Sequence, residues 1–239
     1  MSRTPIWQSI HATLSAEIAE GIYPPGTRLP TEAELASRFG VNRHTVRHAL
    51  AALAEGGLVS SRRGAGVFVT ARPTDYPLGR RVRFHQNVEA TGRTPSRRLT
   101  LLETRPASTK EAEALALPPA APVHVVEGLS LVDGQPVAHF RSVLDAGRFP
   151  ELLRHLAQTP SLTAALKACG LEDYTRKETR LTAKLATPLQ ALHLQLKEGA
   201  PILRSVAINA DAAGVPVEYG STWFAGDRVT LTVSPEGAG

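Results

Sequence analysis

Between Thr31 and Val69 the sequence sets capping signals, apolar periodicity and glycines in an order that leaves few folds open. Thr31-Glu32-Ala33-Glu34 is a capping box: the Thr31 hydroxyl can accept from the Glu34 N–H while the Glu34 carboxylate reaches back to the N-cap. A short helix therefore starts after Pro30, turns Leu35 and Phe39 inward and stops at Gly40. Asn42 then caps a further helix running from Arg43 to about Glu55, with Val46, Leu50 and Leu53 on its core face. Two short helices joined by a brief turn containing glycine make a helix-turn-helix. Upstream, Ile6, Ile10, Leu14 and Ile18 line one face of a first helix, which Gly21 and Pro24-Pro25-Gly26 end. Downstream, two β segments flank Arg62-Arg63-Gly64-Ala65-Gly66, a hairpin wing whose glycines let its tip approach a partner closely.

A helix whose core face is Val46, Leu50 and Leu53 must project Arg43, His44, Arg47 and His48 from the other side. Recognition helices are built this way, because their N-terminal residues meet base edges in the major groove. From Met1 to Arg72 there are eight Arg against five Glu and no Lys. Arginine presents a planar fork suited to phosphate and to guanine edges. A net charge of +5 and a pI near 9.7 suit a polyanion as well. The candidate contacts to double-stranded operator DNA are Thr31, Glu32, Asn42, Arg43, His44, Thr45, Arg47, His48, Arg62, Arg63, Gly64 and Gly66.

The run from Pro24 to Val69 resembles, along its whole length, the DNA-binding domain of GntR-type regulators. The stretch Thr74 to Gly92 and the pattern behind it are similar to the HutC branch and, within it, to PhnF-type regulators of phosphonate metabolism. The resemblance implies an α+β chain with an N-terminal winged helix-turn-helix and a C-terminal UTRA effector domain, an antiparallel sheet with helices related to chorismate lyase. It departs from the family at Ala33, where many relatives carry an arginine. It departs again at Gly128 and Ser130, strand positions at which sugar-phosphate-sensing relatives carry arginines.

At 239 residues the chain is long enough for two domains. The expected boundaries are a DNA-binding domain over 1–71, a proline-biased linker over 72–80, and an effector-binding and dimerisation domain over 81–239. The second domain carries an internal repeat. Ser108-x-x-Glu111, Leu115-x-Leu117 and Ala121-Pro122-Val123 recur 79 residues later as Thr187-x-x-Gln190, Leu194-x-Leu196 and Ala200-Pro201-Ile202. Each copy is a capped helix, a break, a strand and a hairpin, and one extra residue in the second turn moves the offset to 80. The pattern predicts an antiparallel sheet of two related halves with helices on one face. Helices are expected between the halves over 149–157 and 161–169.

The expected ligand is a small molecule. From Arg80 to Arg98 there are six Arg and one Glu, a concentration suited to an anion such as phosphate, a phosphonate or a related metabolite. The family resemblance places the effector pocket between this segment and strands of both repeats, which makes Arg81, Arg83, Phe84, His85, Asn87, Arg141, Glu218 and Tyr219 the candidates. The same arginines could instead serve as a secondary DNA contact. No paired-cysteine, G-x-S-x-G or glycine-rich phosphate motif is present, and Cys169 stands alone, so neither a catalytic group, a cofactor nor a metal is expected. No run is long and apolar enough to span a bilayer, and the N-terminus lacks a signal-peptide pattern, so a cytoplasmic chain with no membrane partner is expected. The reading is a homodimeric regulator, a repressor, that binds a palindromic operator and responds to an effector. Its rivals are a chorismate-lyase-type enzyme fused to a DNA-binding module and an architectural DNA binder with a vestigial sensor.

Overall fold

The computed structural model describes residues 5–62, 64–70, 73–79, 84–90 and 92–233. The chain divides into two compact units, residues 1–72 and 73–239.

The first unit packs α1 (Ile6–Ala19), α2 (Glu32–Phe39) and α3 (Arg43–Glu55) beside the hairpin of β1 (Val59–Arg62) and β2 (Gly66–Val69). The capping box at Thr31 forms, with the Thr31 N–H donating to Glu34 Oε2 at 2.7 Å, and Gly40 ends α2 in the left-handed region. Ile10, Leu14, Leu35, Val46, Leu50 and Leu53 meet in one core with Val59 and Val69 of the hairpin. The stretch from Gly26 to Leu29 runs alongside β2, the Leu29 N–H donating to the Val67 carbonyl at 2.8 Å and the Val69 N–H to the Thr27 carbonyl at 2.9 Å. The wing is thereby tied back to the segment that precedes α2.

The second unit is built on a six-stranded antiparallel sheet in the order β4-β5-β6-β9-β8-β7. Its first half holds β4 (Pro95–Pro106), α5 (Thr109–Leu115), β5 (Pro122–Val132) and β6 (Gln135–Asp145). Its second holds β7 (Thr175–Leu185), α8 (Pro188–Leu194), β8 (Pro201–Ala210) and β9 (Pro216–Ala225). The internal repeat is thus a structural one, with β6 and β9 side by side at the centre. Both capping boxes form, at Ser108/Glu111 and at Thr187/Gln190. The two helices share one face of the sheet, and each reaches across the midline: α5 packs on β9 and α8 on β6.

The opposite face has two covers. α6 (Leu152–Gln158) and α7 (Leu162–Ala168) bury Leu152, Leu156 and Leu166 against Val126, Phe140 and Leu144. β3 (Thr74–Pro77), α4 (Phe84–Glu89) and β10 (Val229–Thr232) bring Tyr76, Phe84, Val88 and Val229 against Ala138 and Phe224. The linker expected over 72–80 therefore contains a strand: residues 74–77 pair in parallel with 229–232. Thr74 and Tyr76 are buried while Asp75 and Pro77 are exposed, the alternation of a half-buried edge strand that tolerates proline. Its partner lies some 150 residues away in the chain, where local pattern cannot reveal it.

Candidate DNA interface and effector cavity

Arg43, His44, Arg47 and His48 are exposed on α3, as the periodicity requires. They are not equivalent. Arg47 is held by Glu32 of α2 in a fork, with Nε to Oε1 at 3.0 Å and an Nη to Oε2 at 2.7 Å. His48 stacks on Trp7 of α1 with ring centroids 4.2 Å apart. Asn42 and Thr45 are engaged in the cap, Asn42 Oδ1 accepting from both the N–H and the hydroxyl of Thr45 at 2.9 Å. Thr31 is spent on the capping box of α2. In the wing, Gly64 sits at the exposed turn with φ +73°. Gly66 has φ +112°, and a Cβ there would lie 2.7 Å from Arg28 Nε. The backbone conformation is what calls for glycine here, since the exposed Arg28 side chain could swing aside. Arg28, exposed and bridged to Phe68, is a basic residue of this surface that the sequence reading did not single out. Its signal was its place just before the capping box, in a segment that reads as a turn. Arg63 and the side chain of Arg62 lie outside the described residues.

In the second unit a cavity of about 280 Å³ lies on the face covered by α6 and α7, between α7 and the pair Tyr76 and Phe84. Arg97, Phe140, Ser142, Tyr174, Arg176, Asn209, Glu218 and Thr222 line it. The Arg97 guanidinium lies 4.8 Å from the centre of the Phe140 ring and 5.6 Å from that of Phe84, and its Nε is buried without a hydrogen-bond partner. On the far side Arg176 Nε donates to Asn209 Oδ1 at 3.3 Å, and Asn209 Nδ2 donates to Glu218 Oε2 at 2.6 Å. The Ser142 hydroxyl donates to the other Glu218 oxygen. Burial pushes the Tyr76 hydroxyl above the usual phenol range, and Arg97, Arg176 and Glu218 all lie within electrostatic reach of it. Two arginines, Lys167 and one carboxylate thus line one small space.

Of the expected effector residues, Phe84 and Glu218 line this cavity. Arg81 and Arg83 lie outside the described residues, as does the side chain of His85. Asn87 is on α4 with Nδ2 buried and unpartnered, but it does not line the cavity. Arg141 and Tyr219 belong to the other face. Side chains alternate along a strand, so with Ser142 and Glu218 pointing into the cavity their neighbours must point away. Arg141 instead binds Glu111 of α5 at 3.1 Å and Glu127 at 3.2 Å. Arg105 and the Ser108 N–H add to the same Glu111 carboxylate, whose pKa the Arg105 hydrogen bonds bring down to about 2. Tyr219 packs with the α5 cluster.

The arginine-rich stretch also disperses. Arg93 is tied to Asp133 at 2.7 Å, Arg98 is exposed, and Arg97 alone of these three enters the cavity. Arg97 pairs directly across from Ser130, and Leu99 across from Gly128. A Cβ at Gly128 would stand 2.6 Å from the Arg98 carbonyl and 2.9 Å from the Phe140 ring, so no side chain fits there. The cavity's positive charge comes from Arg97 of β4, Lys167 of α7 and Arg176 of β7, not from the β5 positions 128 and 130. One signal for the overlooked residues was available: the 79-residue offset relates Arg97 to Arg176 and Ser130 to Asn209, and the 80-residue offset relates Ser142 to Thr222.

Among the described residues no group of three or more metal-ligating side chains is gathered, and no helix is long and apolar enough to cross a membrane. Residues 7–69 match the gntR family of bacterial regulatory proteins, and residues 90–230 match the UTRA domain. The chain is 39% identical to an HTH-type transcriptional regulator of Rhizobium meliloti (strain 1021), over 95% of this chain and 94% of that one. It is 33% identical to the probable transcriptional regulator PhnF of Escherichia coli (strain K12), again over 95% and 94% of the two chains. The crystal structure of PhnF from Mycobacterium smegmatis superposes with a TM-score of 0.65 at 28% identity, covering 94% of this chain and 98% of that one. With a winged helix-turn-helix, a repeated α+β sensor domain and relatives that are themselves regulators, this chain belongs to the GntR family of bacterial transcription regulators, in its HutC/PhnF-like branch.

Proposed function

We propose that the chain is a cytoplasmic, ligand-responsive repressor that binds a two-fold operator as a homodimer and changes that binding when a small anionic metabolite occupies the cavity of the second unit. The observation that carries the effector class is the Arg97 guanidinium, buried at Nε, unpartnered there and clasped between two aromatic rings at the cavity wall. A planar guanidinium held this way is preorganised for bidentate recognition of an acidic group. Similarity to regulators named PhnF makes phosphate- and phosphonate-related anions the first class to test. An effector acts only through its different affinity for the two conformations of the protein, so it is bound and recovered, not consumed.

The homodimer is supported by a difference between the repeats. α5 exposes Lys110 and Glu113, whereas α8 exposes Leu189 and Leu192 at the matching positions, with Leu185 exposed beside them. β4 begins and ends with proline, as a protected edge does, while β7 is an open edge carrying exposed Leu181 and Leu185. A second copy covering β7 and α8 would account for apolar surface on one repeat and charged surface on its twin.

The test is operator selection from random DNA, followed by binding assays with and without a metabolite pool. The expected result is a pseudo-palindrome whose affinity shifts with the pool in the wild type and not in Arg97→Gln. An operator affinity that no pool alters in the wild type overturns the effector role of the cavity.

A further inference from the structure

We propose that the effector is a small zwitterion, its acidic group held by Arg97 and its ammonium group by Glu218. This rests on the cavity being the effector site. Glu218 is a buried residue, 8% exposed, in the floor of the cavity. Both of its carboxylate oxygens are hydrogen-bonded, but the donors are the Ser142 hydroxyl and the Asn209 amide, which are neutral. No cationic side chain among the described residues lies within ion-pair distance of it. A carboxylate kept in a buried place with neutral partners alone is costly unless a cation completes it. Ser142 and Asn209 come from β6 and β8, the strands on either side of β9, and they fix the carboxylate's orientation toward the space between them.

Arg97 supplies the opposite sign in the lining of the same cavity. Among the described residues its side chain has no ion pair, its Nε is buried without a hydrogen-bond partner, and its guanidinium lies 4.8 Å from the Phe140 ring centre and 5.6 Å from that of Phe84. Arg97 and Glu218 face the same cavity without pairing with each other, and both are felt at the buried Tyr76 hydroxyl. A plain anion could be shared by Arg97, Arg176 and Lys167 of the lining, but it would bring Glu218 no counter-charge of its own. A neutral polyol would complete neither. A molecule with an acidic group at one end and an ammonium at the other completes both. At about 280 Å³ the cavity is at the small end of ligand sites, which limits the occupant to metabolite size.

Calorimetry on the full-length chain with two matched pairs tests this: 2-aminoethylphosphonate against ethylphosphonate, and β-alanine against propionate. Within at least one pair the amino member should bind tenfold or more tightly than its amine-free partner, and which pair does so assigns the acid as phosphonate or carboxylate. In Glu218→Gln the members of that pair should bind within about twofold of each other, while Arg97→Gln should weaken the amino acid by tenfold or more. Equal binding of amino and amine-free members by the wild type overturns the zwitterion, and so does a preference that survives Glu218→Gln. If Glu218→Gln fails to fold, the wild-type comparison decides by itself. Binding of none of the four overturns the proposal too, while the effector role of the cavity is judged separately by the response of operator affinity to the metabolite pool.

Discussion

At the scale of single residues, the cationic side chains on α3 differ in what they are free to do. Arg47 is already held by a carboxylate fork from Glu32, whereas Arg43 sits at the first position of the helix, exposed. A bidentate guanine contact provides about 1–3 kcal/mol of discrimination, and a side chain must be released from any internal partner before it can make one. Arg43→Ala is therefore expected to flatten operator preference by roughly that amount in competition binding. Arg47→Ala should weaken specific binding less, and Glu32→Gln, which removes the charge from the fork, should alter DNA affinity through Arg47. If Arg43→Ala binds its operator as selectively as the wild type, the assignment of α3 as the recognition helix fails. Gly66 and Gly128 belong to the same scale: Gly66 takes a φ of +112° that side chains avoid, and at Gly128 one added carbon would strike the Arg98 carbonyl in β4.

At the scale of elements, α8 is laid over β6 through an aromatic and imidazole stack. His139 of β6 lies 4.7 Å from the His193 ring of α8 and 5.3 Å from the Trp223 ring of β9. Burial holds the His139 pKa down to about 4, and His193 disfavours a second charge beside it. Glu127 at 3.8 Å from Nε2 is the nearest opposing charge. An imidazole that is neutral when folded and takes a proton when unfolded has no effect on stability above its unfolded pKa near 6.5. As pH falls from about 6.5 toward 4 the unfolded state gains protons first and stability is lost, by on the order of 2–3 kcal/mol for His139. His124, also held neutral by burial, adds to the same slope. Glu111 works at lower pH, its contribution being lost as pH falls from about 4.5 toward about 2. Denaturant melts between pH 7 and 4.5 should show this loss, and His139→Phe, which keeps a ring against Trp223, should flatten it. An unchanged slope in that variant would mean that His139 is not buried as a neutral ring.

At the scale of the whole molecule, two copies of one structural unit share a sheet but differ in their outer surfaces. Lys110 and Glu113 are replaced in the second copy by Leu189 and Leu192, which are 59% and 74% exposed. If a second chain covers that surface, the double variant Leu189→Lys, Leu192→Glu should convert a dimer to a monomer in sedimentation while leaving the fold intact. Operator affinity should fall with it, because one winged helix presents too few base contacts to specify a site alone. A double variant that sediments as the wild type does places the dimer contact elsewhere.

What the sequence alone determined was whatever is encoded locally. The capping boxes at Thr31, Ser108 and Thr187, the αL stop at Gly40, the core face of α3 and the wing all follow from residues within a few positions of each other, and they form. The internal repeat was legible too, because duplicated pattern needs only the linear sequence. The tertiary structure decided which side chains share a space. Phe84 and Glu218 line the cavity while Arg141 and Tyr219 lie on the other face of the sheet, because one step along a strand reverses a side chain's direction and the register across β6 and β9 is set by pairs 76 to 86 residues apart. Arg97 and Arg176 are on opposite edges of the sheet, and only the folded chain carries both to the same cavity. β3 is not legible in the sequence for the same reason: its pairing with β10 joins residues from the two ends of the second unit, and a strand without its partner reads as a linker.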